Sequence, residues 1–174
     1  TKSVNRLRRG AMFGMSYVGM PHIWYGNEVG MLGGKDPDCR RPFEWRYEGD
    51  TRRQALRDYY GTIGRLRRDT EVLRRGSFLT LAAEGKGYAF ARILDGKLAV
   101  ICLNPGMTPV TLELPAEAVA ALKDSGCDLA TEVIVGADSF PRAVGGNLDT
   151  GTRMDLGKEG NITIPALSGA ILLN

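Results

Sequence analysis

Two aspartates, Asp36 and Asp38, stand on either side of Pro37 in the run Gly33-Gly34-Lys35-Asp36-Pro37-Asp38-Cys39-Arg40-Arg41-Pro42. Their spacing would let the carboxyl groups approach. General acid–base work, however, needs one of such a pair to be desolvated so that it holds a proton near neutrality, and nothing in the sequence points to that. Glu28 lies just past a short apolar run, where barrel enzymes often carry catalytic groups. His22 is the single histidine. It cannot build a histidine metal cluster within the chain, and its apolar neighbours suggest a packing role rather than a base.

Other patterns carry less. Gly30 to Lys35 superficially looks like a phosphate loop, but Val29 stands where the form G-x-x-x-x-G-K-[ST] needs its first glycine, and Asp36 where it needs a hydroxyl. Cys39, Cys102 and Cys127 are odd in number and widely spaced, so neither a disulfide framework nor a zinc site is expected. Reduced thiols suit a reducing compartment such as the cytoplasm. Asn161-Ile162-Thr163 fits a glycosylation sequon, a pattern short enough to recur by chance.

The elements around these residues read as follows. Ser3 is placed to cap a helix whose apolar residues Val4, Leu7, Ala11, Met15 and Val18 recur at helical spacing. Gly10 and Gly14 weaken that helix locally and suggest close packing on a sheet. His22 to Tyr25 read as a strand buried on both faces. Gly26 then turns the chain into a glycine-punctuated loop reaching about Asp50, a length that is usually functional. Asp50 or Thr51 caps a second helix with Leu56, Tyr59, Tyr60, Ile63 and Leu66 inward, and with Arg52, Arg53, Arg57, Arg65, Arg67 and Arg68 mostly outward. Helix, strand, long loop and helix form one repeat of an α/β barrel, where loops leaving the C-terminal strand ends build the site.

Past Gly76 the texture changes to short apolar runs at 78–82, 88–93, 98–103, 110–114, 132–135, 162–164 and 170–173, punctuated by Asp95-Gly96 and Asn104-Pro105-Gly106. Runs of this kind predict an antiparallel sandwich. Residues 116–123 predict a short helical insertion, and 136–158 a loop-rich stretch with room for one more strand. Charge changes at the same place: residues 1–75 hold 16 Lys/Arg against 9 Asp/Glu, and residues 76–174 hold 7 against 11. The expected domains are therefore 1–75 and 76–174. A complete barrel needs about 250 residues, more than the 174 present. No signal-peptide pattern or membrane-length apolar run occurs. The arginine-rich helix interleaves acids and buries its aromatics, which argues against nucleic acid as a partner.

One stretch carries a resemblance. Gly19-x-Pro21-x-Ile23-x-Tyr25-Gly26-x-Glu28-x-Gly30-Met31, followed by Gly33-Gly34-x-Asp36-Pro37-Asp38-x-Arg40-Arg41-Pro42, resembles the end of the catalytic barrel in the α-amylase superfamily, glycoside hydrolase family 13. The Asp-Pro-x-x-Arg after a double glycine resembles its neopullulanase, cyclomaltodextrinase and maltogenic-amylase branch most closely, with Asn27 and Trp24 as departures from that pattern. Residues 66–78 and the ending from Ile164 are similar to the segments that enter and close the family's all-β C-terminal domain.

The resemblance implies an α+β chain: the last αβα repeat of a (β/α)8 barrel followed by an all-β antiparallel sandwich, the C-terminal part of an enzyme that hydrolyses α-1,4 or α-1,6 glucosidic bonds with retention. In the family the two catalytic carboxylates and a third essential aspartate lie on earlier strands, so this chain would hold no catalytic residue and be inactive alone. Asp36 and Arg40 would bind sugar hydroxyls of an α-glucan oligosaccharide; pairing with each other merely to brace the loop is the alternative. Gly26 and Glu28 would be structural neighbours of the site. No cofactor, metal, nucleic acid or membrane partner is implied. A non-catalytic carbohydrate-binding or structural sandwich with a helical arm is the other class of function. Apolar residues at Met12, Phe13, Met15, Tyr17, Val18, Met20, Ile23, Trp24, Tyr25 and Met31 would lack their barrel partners. The segment before Gly76 is then expected to pack differently, to be partly disordered, or to bury itself on a second copy as a homo-oligomer or domain swap. The part after Gly76 is expected to fold on its own.

Overall fold

In the computed structural model, which describes residues 2–141, 143, 145 and 148–174, helices cover one face of an antiparallel sheet and a smaller sheet covers the other. The helices come first: α1 (Lys2–Ser16), α2 (Thr51–Asp69) and α3 (Glu71–Arg75). The strands follow as β1 (Ser77–Glu84), β2 (Gly87–Leu94), β3 (Lys97–Asn104), β4 (Val110–Glu113), β5 (Ala130–Val135), β6 (Arg153–Asp155), β7 (Asn161–Ile164) and β8 (Ser168–Leu173). Helix α4 (Ala116–Asp124) lies between β4 and β5, and a single turn, α5 (Leu156–Glu159), follows β6. Six strands pair antiparallel in the order β1-β2-β3-β8-β5-β6, and β4 pairs with β7.

Alternation along the central strands explains the layering. Side chains at successive strand positions point to opposite faces. Val100 and Cys102 of β3 and Ala170 and Leu172 of β8 join Leu112, Ile162 and Ile164 of the small sheet in one core. Ala99, Ile101 and Leu103, with Phe90 and Ile171, face Ala11, Met12, Met15, Leu56, Tyr59, Ile63 and Leu73 of the helices in the other. Both faces are covered, so β3 reads as a nearly unbroken apolar run. The Asp95-Gly96 turn joins β2 to β3 with φ of 49° and 78° at its two residues, the left-handed pair that two-residue hairpins favour. In the loop-rich stretch 136–158 the additional strand is β6; residues 142, 144, 146 and 147 lie outside the described residues.

Several expectations need correction. Residues 22–25 form no strand, because a strand needs neighbours for its N–H and C=O groups, and every strand described here is paired within the two later sheets. Helix α1 starts at Lys2, so Ser3 lies inside it and is not its cap. Its buried face is rotated from the expected stripe: Met12 is fully buried and Met15 nearly so against the six-stranded sheet, whereas Val18 is exposed. Phe13 and Tyr17, 4.7 Å apart, pack on Phe90. Part of the segment thought to lack partners therefore finds them in the strands that follow. Gly10 and Gly14 face away from the sheet, with open space where a Cβ would stand. Arg67, finally, is buried.

Candidate functional site

The loop between α1 and α2 is built on a sharp turn at Gly26. Its φ of 91° is in the left-handed region, and a Cβ there would come within 2.5 Å of Met31 Sδ, so glycine fits where larger residues would be strained. The Gly26 N–H donates to Glu28 Oε2 at 2.8 Å, and its carbonyl accepts from the Met31 N–H at 2.9 Å. Glu28 is thus occupied with backbone two residues away. His22 is exposed and meets Trp24 edge-on, with ring centroids 6.4 Å apart, so its packing is at the surface and not in a core.

Two aromatic side chains pin the returning arm. Trp24 Nε1 donates to the Cys39 carbonyl at 3.3 Å, and the Tyr25 hydroxyl donates to the Arg41 carbonyl at 3.0 Å. Between the arms is a cavity of about 190 Å³ lined by residues including Tyr25, Met31, Leu32, Gly34 and Arg41. Arg53, from the first turn of α2, donates to the Val29 carbonyl at 2.8 Å and pairs with Glu44 at 2.6 Å. Helix α2 is itself capped by Asp50, whose carboxylate accepts from the Arg52 and Arg53 N–H groups, satisfying donors that every helix start leaves open.

On this frame the charged residues sort into separate pairs. Asp36 accepts from Arg40, Nε to Oδ1 at 2.8 Å and Nη2 to Oδ2 at 3.1 Å, and both side chains are well exposed. Asp38 accepts from Arg41 at 2.7 and 2.9 Å and from the Gly34 N–H at 2.7 Å. These bonds, Arg41's first and then Gly34's, hold the Asp38 carboxyl below its ordinary range. The aspartates have separate partners and both are exposed, so they do not form the desolvated dyad that acid–base catalysis would use. Among the described residues no group of three or more His, Cys, Asp or Glu side chains is placed to hold a metal ion, and no helix is long and apolar enough to cross a membrane.

Sequence reasoning missed what anchors the loop. Arg67 donates to the carbonyls of Met15, Tyr17, Gly19 and Leu73, and Arg92 to those of Ser16, Tyr17, Leu73, Gly76 and Ser77. Signals for both were present. Arg67 follows Tyr60 and Ile63 at the spacing of the inner stripe, and Arg92 is the one charged residue inside the apolar β2.

No family profile matches the chain. It is 33% identical over 174 residues to an amylopullulanase of Thermoanaerobacterium saccharolyticum, covering 97% of this chain and 12% of that protein. It is 41% identical over 101 residues to a cyclomaltodextrinase of Thermoanaerobacter pseudethanolicus, covering 58% and 17%. The debranching enzyme from Nostoc punctiforme superposes on 98% of the chain with a TM-score of 0.70 at 26% identity, over 31% of its own length. The chain thus spans less than a fifth of these two sequence relatives and under a third of the structural one. It belongs to the α-amylase superfamily, glycoside hydrolase family 13, alongside cyclomaltodextrinases, neopullulanases, amylopullulanases and maltogenic amylases.

Proposed function

We propose that this chain is the C-terminal part of an α-glucan hydrolase: the last repeat of its catalytic barrel, residues 1–75, and an all-β sandwich, residues 76–174. In that setting its loop binds substrate and does not break the bond. Retaining hydrolysis needs two carboxyl groups about 5–5.5 Å apart acting as nucleophile and acid/base. The aspartates of this loop are each committed to an arginine, so the reaction is assigned to carboxylates outside the chain.

The Asp36–Arg40 pair carries the reading. Its side chains are 60% and 68% exposed, and an exposed ion pair contributes only about 0–1 kcal/mol to a fold. Bracing is thus a small part of what the pair can do, while the loop beneath it is pinned by Trp24, Tyr25, Asp38 and Arg53. A carboxylate beside a guanidinium offers acceptors and a planar fork of donors. A pyranose hydroxyl can both donate to the one and accept from the other, displacing only water. The other class, a non-catalytic carbohydrate-binding or structural sandwich with a helical arm, gives no reason for the long, glycine-turned loop between α1 and α2.

The test uses the full-length enzyme. Asp36→Ala or Arg40→Ala should cost about 1–3 kcal/mol in kcat/KM, the value of hydrogen bonds to charged groups. The loss should grow with substrate length. Equal losses on the shortest and longest oligosaccharides would reject the assignment. The 174-residue chain by itself should release no reducing sugar from starch, pullulan or cyclodextrins.

A further inference from the structure

Past the Asp36–Arg40 pair the same loop carries a second feature that the proposed function does not use. Trp45 is 77% exposed, and its indole N–H has no partner among the described residues. It is nevertheless not a loose side chain on a loose segment. Phe43 packs beside it with ring centroids 4.8 Å apart and planes at 60°, and the same Phe43 meets Tyr47 edge-on at 6.2 Å. Arg57 lies over the Tyr47 ring, 5.9 Å from its centroid, and the Tyr47 carbonyl accepts from the Asp50 N–H at 2.9 Å. Glu44 is held by Arg53 at 2.6 Å, and Arg53 is itself fixed by the Val29 carbonyl. The first two turns of α2 therefore support an aromatic strip at both ends.

The result is a surface groove of about 360 Å³ lined by Phe43, Glu44, Trp45, Arg46 and Arg53. We infer that this groove is a second α-glucan contact, in which the exposed face of Trp45 stacks on a sugar ring while Glu44 and Arg46 bond its hydroxyls. This inference rests on the α-glucan reading above. The charge pattern selects the occupant. An anion would meet Glu44, and a cation would meet Arg46 and Arg53. A neutral ligand with an apolar C–H face and a rim of hydroxyls satisfies all four: the ring covers the indole, hydroxyl protons go to the carboxylate, and the guanidinium donates to hydroxyl oxygens. Convergence of a few polar groups around an aromatic surface is how small-ligand sites fix orientation. Trp24 is a useful contrast. Its Nε1–H is spent on the Cys39 carbonyl, so its ring braces the loop.

The chain has two tryptophans, so their indole N–H signals can be followed separately by NMR in the full 174-residue protein during titration with maltoheptaose. Trp45 should shift saturably and Trp24 little. Trp45→Ala, which removes an exposed side chain, should keep the unfolding midpoint and weaken binding at least about tenfold. The double variant Asp36→Ala/Arg40→Ala should leave the Trp45 shift unchanged. That result separates this site from the Asp36–Arg40 assignment, which stands or falls on turnover by the full-length enzyme. No Trp45 shift at millimolar maltoheptaose, binding undiminished in Trp45→Ala, or an equal response to cellohexaose would each overturn the inference.

Discussion

Arg67 and Arg92 donate to the same oxygen: the Leu73 carbonyl lies 2.7 Å from Arg67 Nη1 and 2.9 Å from Arg92 Nη1. They share the Tyr17 carbonyl as well, at 3.3 and 3.0 Å. Among the described residues neither guanidinium has a carboxylate within ion-pair range. Two like charges side by side under a protein surface are costly, and burial lowers the pKa of both, with Arg67 adding to the effect on Arg92. They remain charged, since arginine titrates far above the working range. Carbonyl dipoles compensate. Met15, Ser16 and Tyr17 lie at the C-terminal end of α1, where unpaired carbonyls concentrate negative potential, and the two forks collect them together with those of Leu73 and Gly76.

This arrangement predicts that Arg92→Met is more damaging than loss of a surface arginine. Truncation strands several buried acceptors at once, each costing about 1–3 kcal/mol, so a loss above about 3 kcal/mol is expected in urea unfolding. Arg92→Lys should not rescue it, because an ammonium cannot reproduce the planar fork. Arg67→Met should behave alike and, by releasing the Gly19 carbonyl that Arg67 holds at 2.6 Å, should raise protease cleavage between residues 20 and 45. Wild-type-like unfolding of either variant would show that the carbonyls find other donors.

The fold was legible where the physics is local. Alternation and turn residues place β1 to β3, β4, β7 and β8 within a few residues of where they lie, and Asp50 caps α2 as its position suggests. What the sequence hid depends on distant partners. The apolar run at 22–25 has strand composition, but pairing is decided by neighbours, and it has none here. Met12 looks like any apolar helix residue; that it meets the sheet near Gly169 follows only once β8 has been inserted between β3 and β5. Arg67 reads as a surface residue because charge normally stays outside, yet it is buried. Asp36 and Arg40 stand out through the resemblance of their loop to the family's pattern; their exposure shows only in the structure.

The Asp38 carboxyl should report loop integrity through pH. Its folded pKa is depressed below the ordinary 3.8 by Arg41 first and the Gly34 N–H second. For a depressed acid the stabilisation is fully present above the unfolded pKa and vanishes as pH falls through the folded one. The Gly34 amide resonance should therefore titrate below about pH 3.8, and Asp38→Asn should abolish that limb. A midpoint at or above the ordinary value would mean the bidentate pair with Arg41 is not formed in solution.

Thiol reactivity should rank the three cysteines by burial. Cys102 lies in the core of β3 with its pKa pushed up to about 12 by burial, so little thiolate exists at pH 8 and access is closed. Cys127 is buried nearer the surface, with its pKa raised for the same reason. Cys39 sits on the loop with its sulfur 3.9 Å from Asp36 Oδ1. Iodoacetamide should label Cys39 first and Cys102 only on global unfolding. Early labelling of Cys102 would contradict the register that places it opposite Ala89 and Ala170.

The last prediction concerns whether the strands stand without the helices. Composition and charge change at Gly76, which suggested that the part after it folds on its own. The helix-facing side of the six-stranded sheet argues otherwise. Phe90, Ile101, Val135 and Ile171 are each at least 96% buried, and they are covered by α1, α2 and α3. Removing residues 1–75 would return these side chains to water at about 1.5–3 kcal/mol each, or roughly 6–12 kcal/mol in all. A domain's whole stability is only about 5–15 kcal/mol. Arg92 would at the same time lose the Ser16, Tyr17 and Leu73 carbonyls and keep its charge against a newly exposed apolar face. A chain of residues 76–174 should therefore bind a hydrophobic dye, self-associate on size-exclusion chromatography and unfold at much lower urea than residues 1–174. Adding a peptide of residues 1–75 should restore part of the loss. If residues 76–174 are instead monomeric and as stable as the whole chain, the helical layer contributes little, and the sheet's second face must be covered by rearrangement of its own loops.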